Sequence, residues 1–186
     1  MEKILVHACC AHCLGKLLSG LKAESTAREP LIYWSNPNIH PLIEWRRRLK
    51  AVKMLAERAH LPLIVDETYG LVEFCRAVHR HESAPERCER CYALRLGRAA
   101  RAAREAGCRV FTSTLVTSQH QDHALIRKAG EAAGTAEGVE FFYRDWRNAE
   151  ADEKLVQMLY HQQYCGCIFS EFDRFKDTTT HLWPAR

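Results

Sequence analysis

The chain has 186 residues, of which 47% are hydrophobic, and it carries a formal net charge of +4. This length and composition suit one globular domain, and we expect a single domain over residues 1–186. No apolar stretch approaches the roughly 20 residues that span a bilayer, and the first residues lack the layout of a signal peptide, so we expect a cytoplasmic protein with no membrane partner.

Short apolar segments alternate with helical patterns along the chain. Strands are predicted at residues 3–8, 31–34, 61–65, 108–113 and 139–143. Helices are predicted from the leucine spacing at 14–21 and from the apolar spacing at 43–59. Further helices are predicted at 71–78, at 92–106, after the polar loop "TLVTSQHQDH" up to about residue 133, and at 152–160. This alternation is typical of right-handed βαβ units. We therefore predict an α/β fold, a Rossmann-like (PP-loop or HUP-like) parallel sheet flanked by helices.

Seven of the nine cysteines fall into three tight groups that are far apart in sequence. The groups stand in "HACCAHC" after the first strand, in the loop "ERCERC", and in "YCGC" near the end of the chain. Open parallel sheets bind ligands beyond the carboxyl ends of their strands, so we expect the cysteines to cluster at that edge. Because cytosolic thiols stay reduced, such groups favour metal binding or redox chemistry over structural disulfides.

The spacing of the first two groups suits a [4Fe–4S] cluster, which needs four thiolates around a cube. The predicted ligands are Cys9, Cys10, Cys88 and Cys91, and Cys13 is an alternative ligand one helical turn on. Structural zinc, or plain buried or redox thiols, are the other interpretations. The last group, Cys165 and Cys167, can close a small strained disulfide of the catalytic kind or provide two more metal ligands. The isolated Cys75 and Cys108 are expected to be small buried hydrophobic residues.

Basic residues are concentrated in two places. The stretch "EWRRRLK" is the first, and the second is a series that continues through the 92–106 helix, made of Arg87, Arg90, Arg95, Arg98, Arg101 and Arg104. These residues form either solvated helix faces or a phosphate-binding surface. A glycine-rich phosphate loop is missing after the first strand, which argues against an ordinary nucleotide-binding enzyme.

Six motifs in order resemble the epoxyqueuosine reductase family of the QueH type. They read "HACCAHC", "NPNIHPLIEWRRRL", "ERCERCYALRL", "STLVTS", "RDWR" and "YHQQYCGCIFS", and they run from about Leu5 to Ser170. The chain departs from the family pattern in several places, of which two concern histidines. His12 stands where the family has the proline of CCAPC, and His161 stands where it has the arginine of YRQ.

The resemblance implies an oxidoreductase that converts epoxyqueuosine to queuosine at the wobble position of tRNA, the last step of queuosine biosynthesis. It implies that Cys9, Cys10, Cys88 and Cys91 hold a [4Fe–4S] cluster and that Cys165 and Cys167 are a redox-active pair. Cys13 and Asp145 are candidates for a second iron ion or for proton delivery. The implied partners are the tRNA anticodon loop and an external electron donor such as a ferredoxin or flavodoxin. Four aromatic residues are available to stack the base: Trp34, Trp45, Tyr92 and Trp146.

Two other function classes fit the same residues. The first is an iron–sulfur-dependent deoxygenase or desulfidase that acts on a free nucleobase, which would need no basic surface. The second is a non-catalytic, metal-stabilised RNA-binding module, which would need neither Cys165 nor Cys167. Affinity for tRNA distinguishes the tRNA enzyme from the nucleobase enzyme. Redox activity distinguishes the tRNA enzyme from the RNA-binding module, which would be redox-inert.

Overall fold

The computed structural model describes residues 2–178 and contains a five-stranded, all-parallel sheet in the order β3-β2-β1-β4-β5. The strands are β1 (Glu2–His7), β2 (Arg28–Trp34), β3 (Leu63–Val65), β4 (Val110–Ser113) and β5 (Glu140–Phe141). Strand β1 lies at the centre, between β2 and β4. The predicted Rossmann-like parallel sheet is confirmed. Strand β5 is two residues long and shorter than the predicted segment.

The connections between the strands are mostly helical, as predicted. The helices are α1 (Ala11–Ala23), α2 (Leu42–Arg58), α3 (Leu71–Val78), α4 (Glu86–Glu105), α5 (His123–Glu137), α6 (Glu153–Val156) and α7 (Ile168–Phe175), and a 3-10 turn covers Thr114–Thr117. Within residues 2–178, none of these helices has the length and apolar character needed to cross a bilayer.

Helices α4, α6 and α7 differ most from the sequence prediction. Helix α4 begins at Glu86 rather than Tyr92, where Glu86 and Glu89 complement the positive end of the helix dipole. Cys88 and Cys91 therefore lie within the helix and not in the loop before it. Helix α6 ends at Val156, because Met158 has a left-handed backbone. Helix α7 lies in the tail, where no helix was predicted.

The carboxyl ends of the central strand β1 and of its neighbour β4 lie side by side at one edge of the sheet. Ile4, Leu5 and Val6 are fully buried, so the sheet is covered on both faces. His7 pairs in register with Ser113, and the His7 Nδ1 lies 2.8 Å from the Ser113 Oγ. One step beyond, the Cys9 backbone N–H donates to the Thr114 Oγ1 at 3.0 Å. The first cysteine group is thereby attached to the carboxyl ends of two neighbouring strands.

Candidate functional site

Three of the predicted thiols form a compact group where β1 passes into α1. The Sγ atoms of Cys9, Cys10 and Cys13 lie within 4.8 Å of one another. Cys10 is the N-cap of α1, and its Sγ accepts the Cys13 backbone N–H at 3.2 Å. A helix start immediately after a buried strand thus collects three adjacent cysteines into a group that can bind a metal.

The three thiols have different acidities. The Cys9 Sγ accepts a hydrogen bond from the Thr114 hydroxyl at 3.1 Å. Hydrogen bonds from Cys10 and Cys13, together with the nearby Arg95 guanidinium and Thr114, hold the pKa of Cys9 well below its usual range. Burial raises the pKa of Cys10. Cys9 is therefore the thiol of this group that ionises first, and the thiolate is the form that binds metal.

All three cysteine groups converge on one cavity of about 760 Å³. Its walls carry six thiols, from Cys9, Cys13, Cys88, Cys91, Cys165 and Cys167. Cys10 is 1% exposed and is not among the lining residues. On one side, Cys91 and Cys167 pack together with Phe74 and Val78. The volume is within the range of about 300–1,000 Å³ that cofactor and ligand pockets occupy.

The segment that carries Cys165 and Cys167 is held in place by its backbone. Gly166 has φ of +138°, a conformation that side chains disfavour, and its carbonyl accepts the His40 N–H at 2.8 Å. Arg48 donates from Nη1 to the Cys165 carbonyl and from Nη2 to the Tyr164 carbonyl, both at 2.9 Å. The turn therefore presents both thiols at the cavity from a fixed position.

Cys167 also caps helix α7, since its Sγ accepts the Ser170 backbone N–H at 3.3 Å. The same arrangement holds Cys10 at the start of α1. Backbone N–H groups at a helix start favour negative charge. All three cysteine groups therefore lie at helix N-termini, since Cys88 is in the first turn of α4.

A buried arginine with few partners lies among the thiols. Arg95 is 1% exposed, and its Nη2 donates to the Asn36 Oδ1 at 3.1 Å. Its Nε and Nη1 have no hydrogen-bond partner in the part of the chain that the structure describes. The guanidinium faces Cys9, Cys91 and Cys165. Burial raises the pKa of Cys91 to about 12, and Arg95 opposes that rise. Since a buried charge needs an opposite charge, this wall of the cavity suits an anion.

The two basic stretches do not act as uniform surfaces. Arg48 is buried in a salt bridge of 2.6 Å with Glu44, and Arg87 is buried beside Asp173 at 2.9 Å. Neither sequence interpretation, a solvated face or a phosphate surface, holds for these two residues or for Arg95. Within the two stretches, exposed positions remain at Arg46, Arg47, Lys50, Arg90, Arg101 and Arg104. Arg174, outside both stretches, is also exposed and lines the cavity.

The structure places Asp145 away from the cysteines. Both of its carboxylate oxygens accept hydrogen bonds from the Arg147 Nε, at 2.9 and 3.0 Å, and these bonds lower the pKa of Asp145 to about 2. It lines a different groove, between α5 and the segment after β5. At neutral pH this carboxylate holds no proton to deliver.

Two further expectations were wrong. The aromatic residues expected to stack a base are all buried, with exposures of 8% or less: Trp34, Trp45, Tyr92 and Trp146. Tyr92 reaches the cavity wall, but its hydroxyl donates to Gln121. Cys75, expected to be buried, is exposed, whereas Cys108 is buried as expected.

The sequence analysis assigned no role of their own to several residues at or next to the cavity wall. The Gln162 Nε2 donates to the Cys13 Sγ at 3.4 Å, and the His12 and His161 rings stack on each other. These pairs join segments that are far apart in the chain, and no local pattern marks them. Arg95 did carry a signal, because it stands four residues after Cys91, and residues at that spacing share one face of a helix.

Comparisons with known proteins agree with this site. The family model described as "Epoxyqueuosine reductase QueH" matches residues 4–173. A protein of that name from Dehalococcoides mccartyi is 36% identical over 93% of this chain and 94% of its own length. Another from Thermotoga maritima is 32% identical over 94% of this chain and 93% of its own length. The matched region contains all three cysteine groups, and the chain belongs to the epoxyqueuosine reductase QueH family.

Proposed function

We propose that this chain is an oxidoreductase that reduces the epoxide of epoxyqueuosine in tRNA to the alkene of queuosine, the last step of queuosine biosynthesis. The observation that carries the proposal is the convergence of six thiols and a buried arginine on one cavity. The names of the relatives describe this same activity. The reaction removes one oxygen atom as water and consumes two electrons and two protons.

An iron–sulfur cluster fits the chemistry of this cavity. Of the proposed ligands, Cys9, Cys88 and Cys91 line the cavity, whereas Cys10 does not, and its Sγ lies within 4.8 Å of the Cys9 Sγ. Together these residues offer the four thiolates that a [4Fe–4S] cluster needs. The cluster is anionic, and Arg95 offers a buried positive charge without a hydrogen-bonded carboxylate on the same wall. When bound, the cluster would supply single electrons. All four of its irons would be held by thiolates, so an iron that polarises an oxygen atom would be the second ion.

The chain's own residues account for the rest of the reaction in this proposal. Cys165 and Cys167 together release two electrons and two protons when their thiols close to a disulfide. Those electrons and protons balance the conversion of one epoxide to one alkene and one water. An external donor such as a ferredoxin or flavodoxin then returns two electrons, and two protons from water regenerate the thiols.

The remaining site residues have narrower proposed roles. Cys13 lines the cavity and is the thiol left over for a second iron ion. Asp145 would have to leave Arg147 and reach the cavity before it could act there. Arg174 is exposed at the cavity wall and is suited to a phosphate of the tRNA anticodon loop.

The function is tested by incubating the anaerobically reconstituted protein with tRNA that contains epoxyqueuosine and with dithionite. Digested nucleosides are then analysed by mass spectrometry, and queuosine is the expected product. Cys88→Ala should abolish turnover, whereas the exposed Cys75→Ser should not change it. Turnover of the free base alone would support the nucleobase enzyme, and tRNA binding without any turnover would support the RNA-binding module.

The ligand set is tested by comparing Cys10→Ala with Cys13→Ala. Iron, sulfide and the visible spectrum are measured after anaerobic reconstitution. Under the proposal, Cys10→Ala loses the cluster and its absorption, whereas Cys13→Ala keeps the spectrum of the cubane. The opposite result would make Cys13 the fourth ligand.

The redox role of the third cysteine group is tested with the double variant Cys165→Ser and Cys167→Ser. If the pair relays electrons, iron content and the visible spectrum stay nearly unchanged while turnover collapses and tRNA binding survives. Loss of part of the iron would instead assign the two thiols to metal binding. Full iron together with full turnover would exclude both roles.

A further inference from the structure

Two histidines from opposite ends of the chain stack at the edge of the cavity. The ring centroids of His12 and His161 are 4.2 Å apart, and the rings are inclined by 25°. His12 lies in the first turn of α1, and His161 lies in the segment before Cys165. Neither ring belongs to the buried core of the protein. Packing in the hydrophobic core therefore does not account for the stack.

Of the two rings, that of His161 lies at the cavity. His161 is exposed and lines the cavity, while His12 is half-buried and is not among the lining residues. The neighbouring Gln162 donates to Cys13, which connects the segment of His161 to the cysteine group. One face of the His161 ring is thus supported from behind by His12 while its side chain remains at the cavity wall.

Such a supported ring is suited to a flat aromatic ligand. Unpaired bases of RNA are recognised when they splay out and stack on aromatic side chains, and this stacking tolerates any base. Trp34, Trp45 and Trp146 are buried outside the cavity lining, and Tyr92 reaches the cavity wall with its hydroxyl bonded to Gln121. A ring that is already held in place by a neighbour also loses less side-chain freedom when it binds.

We propose that His161, supported by His12, is a base-stacking subsite for an unpaired nucleotide next to the reacting base. This inference rests on the proposed function, because it takes the ligand of the cavity to be a single-stranded RNA loop. Arg174 on the same cavity wall is available to the phosphate of that nucleotide. His161 is in this role a substrate-binding residue and takes no part in the chemistry.

The experiment measures binding of an anticodon stem-loop RNA by the full, anaerobically reconstituted chain. The RNA carries 2-aminopurine in the loop, whose fluorescence is quenched when the base stacks, and the dissociation constant is measured by anisotropy. The variants are His161→Ala, His161→Phe, His161→Lys and His12→Ala. The control is His79→Ala, an exposed histidine outside the cavity lining.

Stacking predicts that binding weakens about tenfold in His161→Ala and His161→Lys and stays near wild type in His161→Phe. His12→Ala should weaken binding less, and His79→Ala should leave it unchanged. Quenching of 2-aminopurine should follow the same order, with the visible spectrum and the melting temperature unchanged. The last two readouts exclude a general structural defect.

Two results would overturn the inference while leaving the proposed function intact. Wild-type affinity in His161→Ala would show that the ring contributes nothing. Tight binding by His161→Lys with weak binding by His161→Phe would show a charge contact with phosphate in place of stacking. If the wild-type protein bound no anticodon RNA under any condition, the tRNA substrate itself would be wrong, and the inference would fall with it.

Discussion

Arg95 carries a positive charge inside the protein, beside three thiols and at 1% exposure. We expect this charge to stabilise the reduced, more negative form of a bound cluster, because the interaction is strong where water is excluded. Arg95→Gln should therefore shift the reduction potential to a more negative value, and Arg95→Lys should restore most of it. Spectroelectrochemical titration measures the shift. An unchanged potential in an iron-loaded Arg95→Gln protein would limit Arg95 to a structural role.

His40 makes the stability of the protein depend on pH. Its ring packs 5.5 Å from Tyr69 and 5.2 Å from Phe74, between centroids, and burial lowers its pKa from 6.5 to about 4. The folded state resists protonation, so the stability contributed by the neutral ring is fully present above pH 6.5 and falls as the pH drops toward 4. The loss amounts to about 2 kcal/mol after allowance for solvent screening.

This dependence is measured by urea unfolding of the wild type and of His40→Phe at several pH values between about 7 and 4.5. The phenylalanine keeps the aromatic packing and removes the titration. The difference in the free energy of unfolding between the two proteins should therefore change steadily over this range, in favour of the variant at low pH. A difference that is independent of pH would contradict the lowered pKa.

At the scale of single elements, the turn of Cys165 and Cys167 depends on Gly166. A Cβ at this position would lie 3.0 Å from the Ile39 Cγ1 and 3.3 Å from the Arg48 Nη1, on a backbone with φ of +138°. We expect Gly166→Ala to lower the free energy of unfolding by about 1–3 kcal/mol and to disturb the positions of both thiols. Chemical unfolding and the rate of disulfide closure measure the two effects.

Gly97 is the matched control for this substitution. It lies within α4, and a Cβ there meets nothing within 4 Å. Gly97→Ala should therefore raise stability by roughly 0.5–1 kcal/mol, since alanine is the better helix former. If both variants changed stability in the same direction, the backbone argument for Gly166 would be wrong.

At the scale of the whole molecule, the net charge of +4 contributes to any binding of RNA. Affinity for tRNA should fall steeply as salt increases, because each neutralised phosphate releases counterions. Arg174 lies at the cavity wall, and Arg174→Ala should weaken binding of all tRNAs. It should also lower the slope of the logarithm of the binding constant against the logarithm of the salt concentration by about 1. Fluorescence anisotropy over a series of salt concentrations measures both quantities.

Arg104 provides the control for this experiment. It stands nine residues beyond Arg95, the last residue of the same helix, α4, that lines the cavity, which corresponds to about 14 Å along the helix axis. It also pairs with Glu137. Arg104→Ala should leave the slope unchanged. Equal effects of the two variants would mean that RNA contacts the protein without regard to the cavity.

The fold class and the chemical character of the site could be predicted from the sequence. Alternating apolar and helical patterns predicted the parallel sheet, because burial on both faces demands continuous hydrophobic strands. The three thiol groups and the six motifs pointed to one edge of that sheet and to the family. The single domain over residues 1–186 and the cytoplasmic location remain predictions.

Which side chains meet became known from the three-dimensional structure. Arg95 is buried among thiols, Asp145 is held by Arg147 in another groove, and His12 stacks on His161. The spacing of apolar residues within a segment indicates which face of that segment is buried. The spacing does not indicate which distant segment packs against that face. The contact between His12 and His161 joins the start of α1 to the segment before Cys165, so its chemistry becomes visible only in three dimensions.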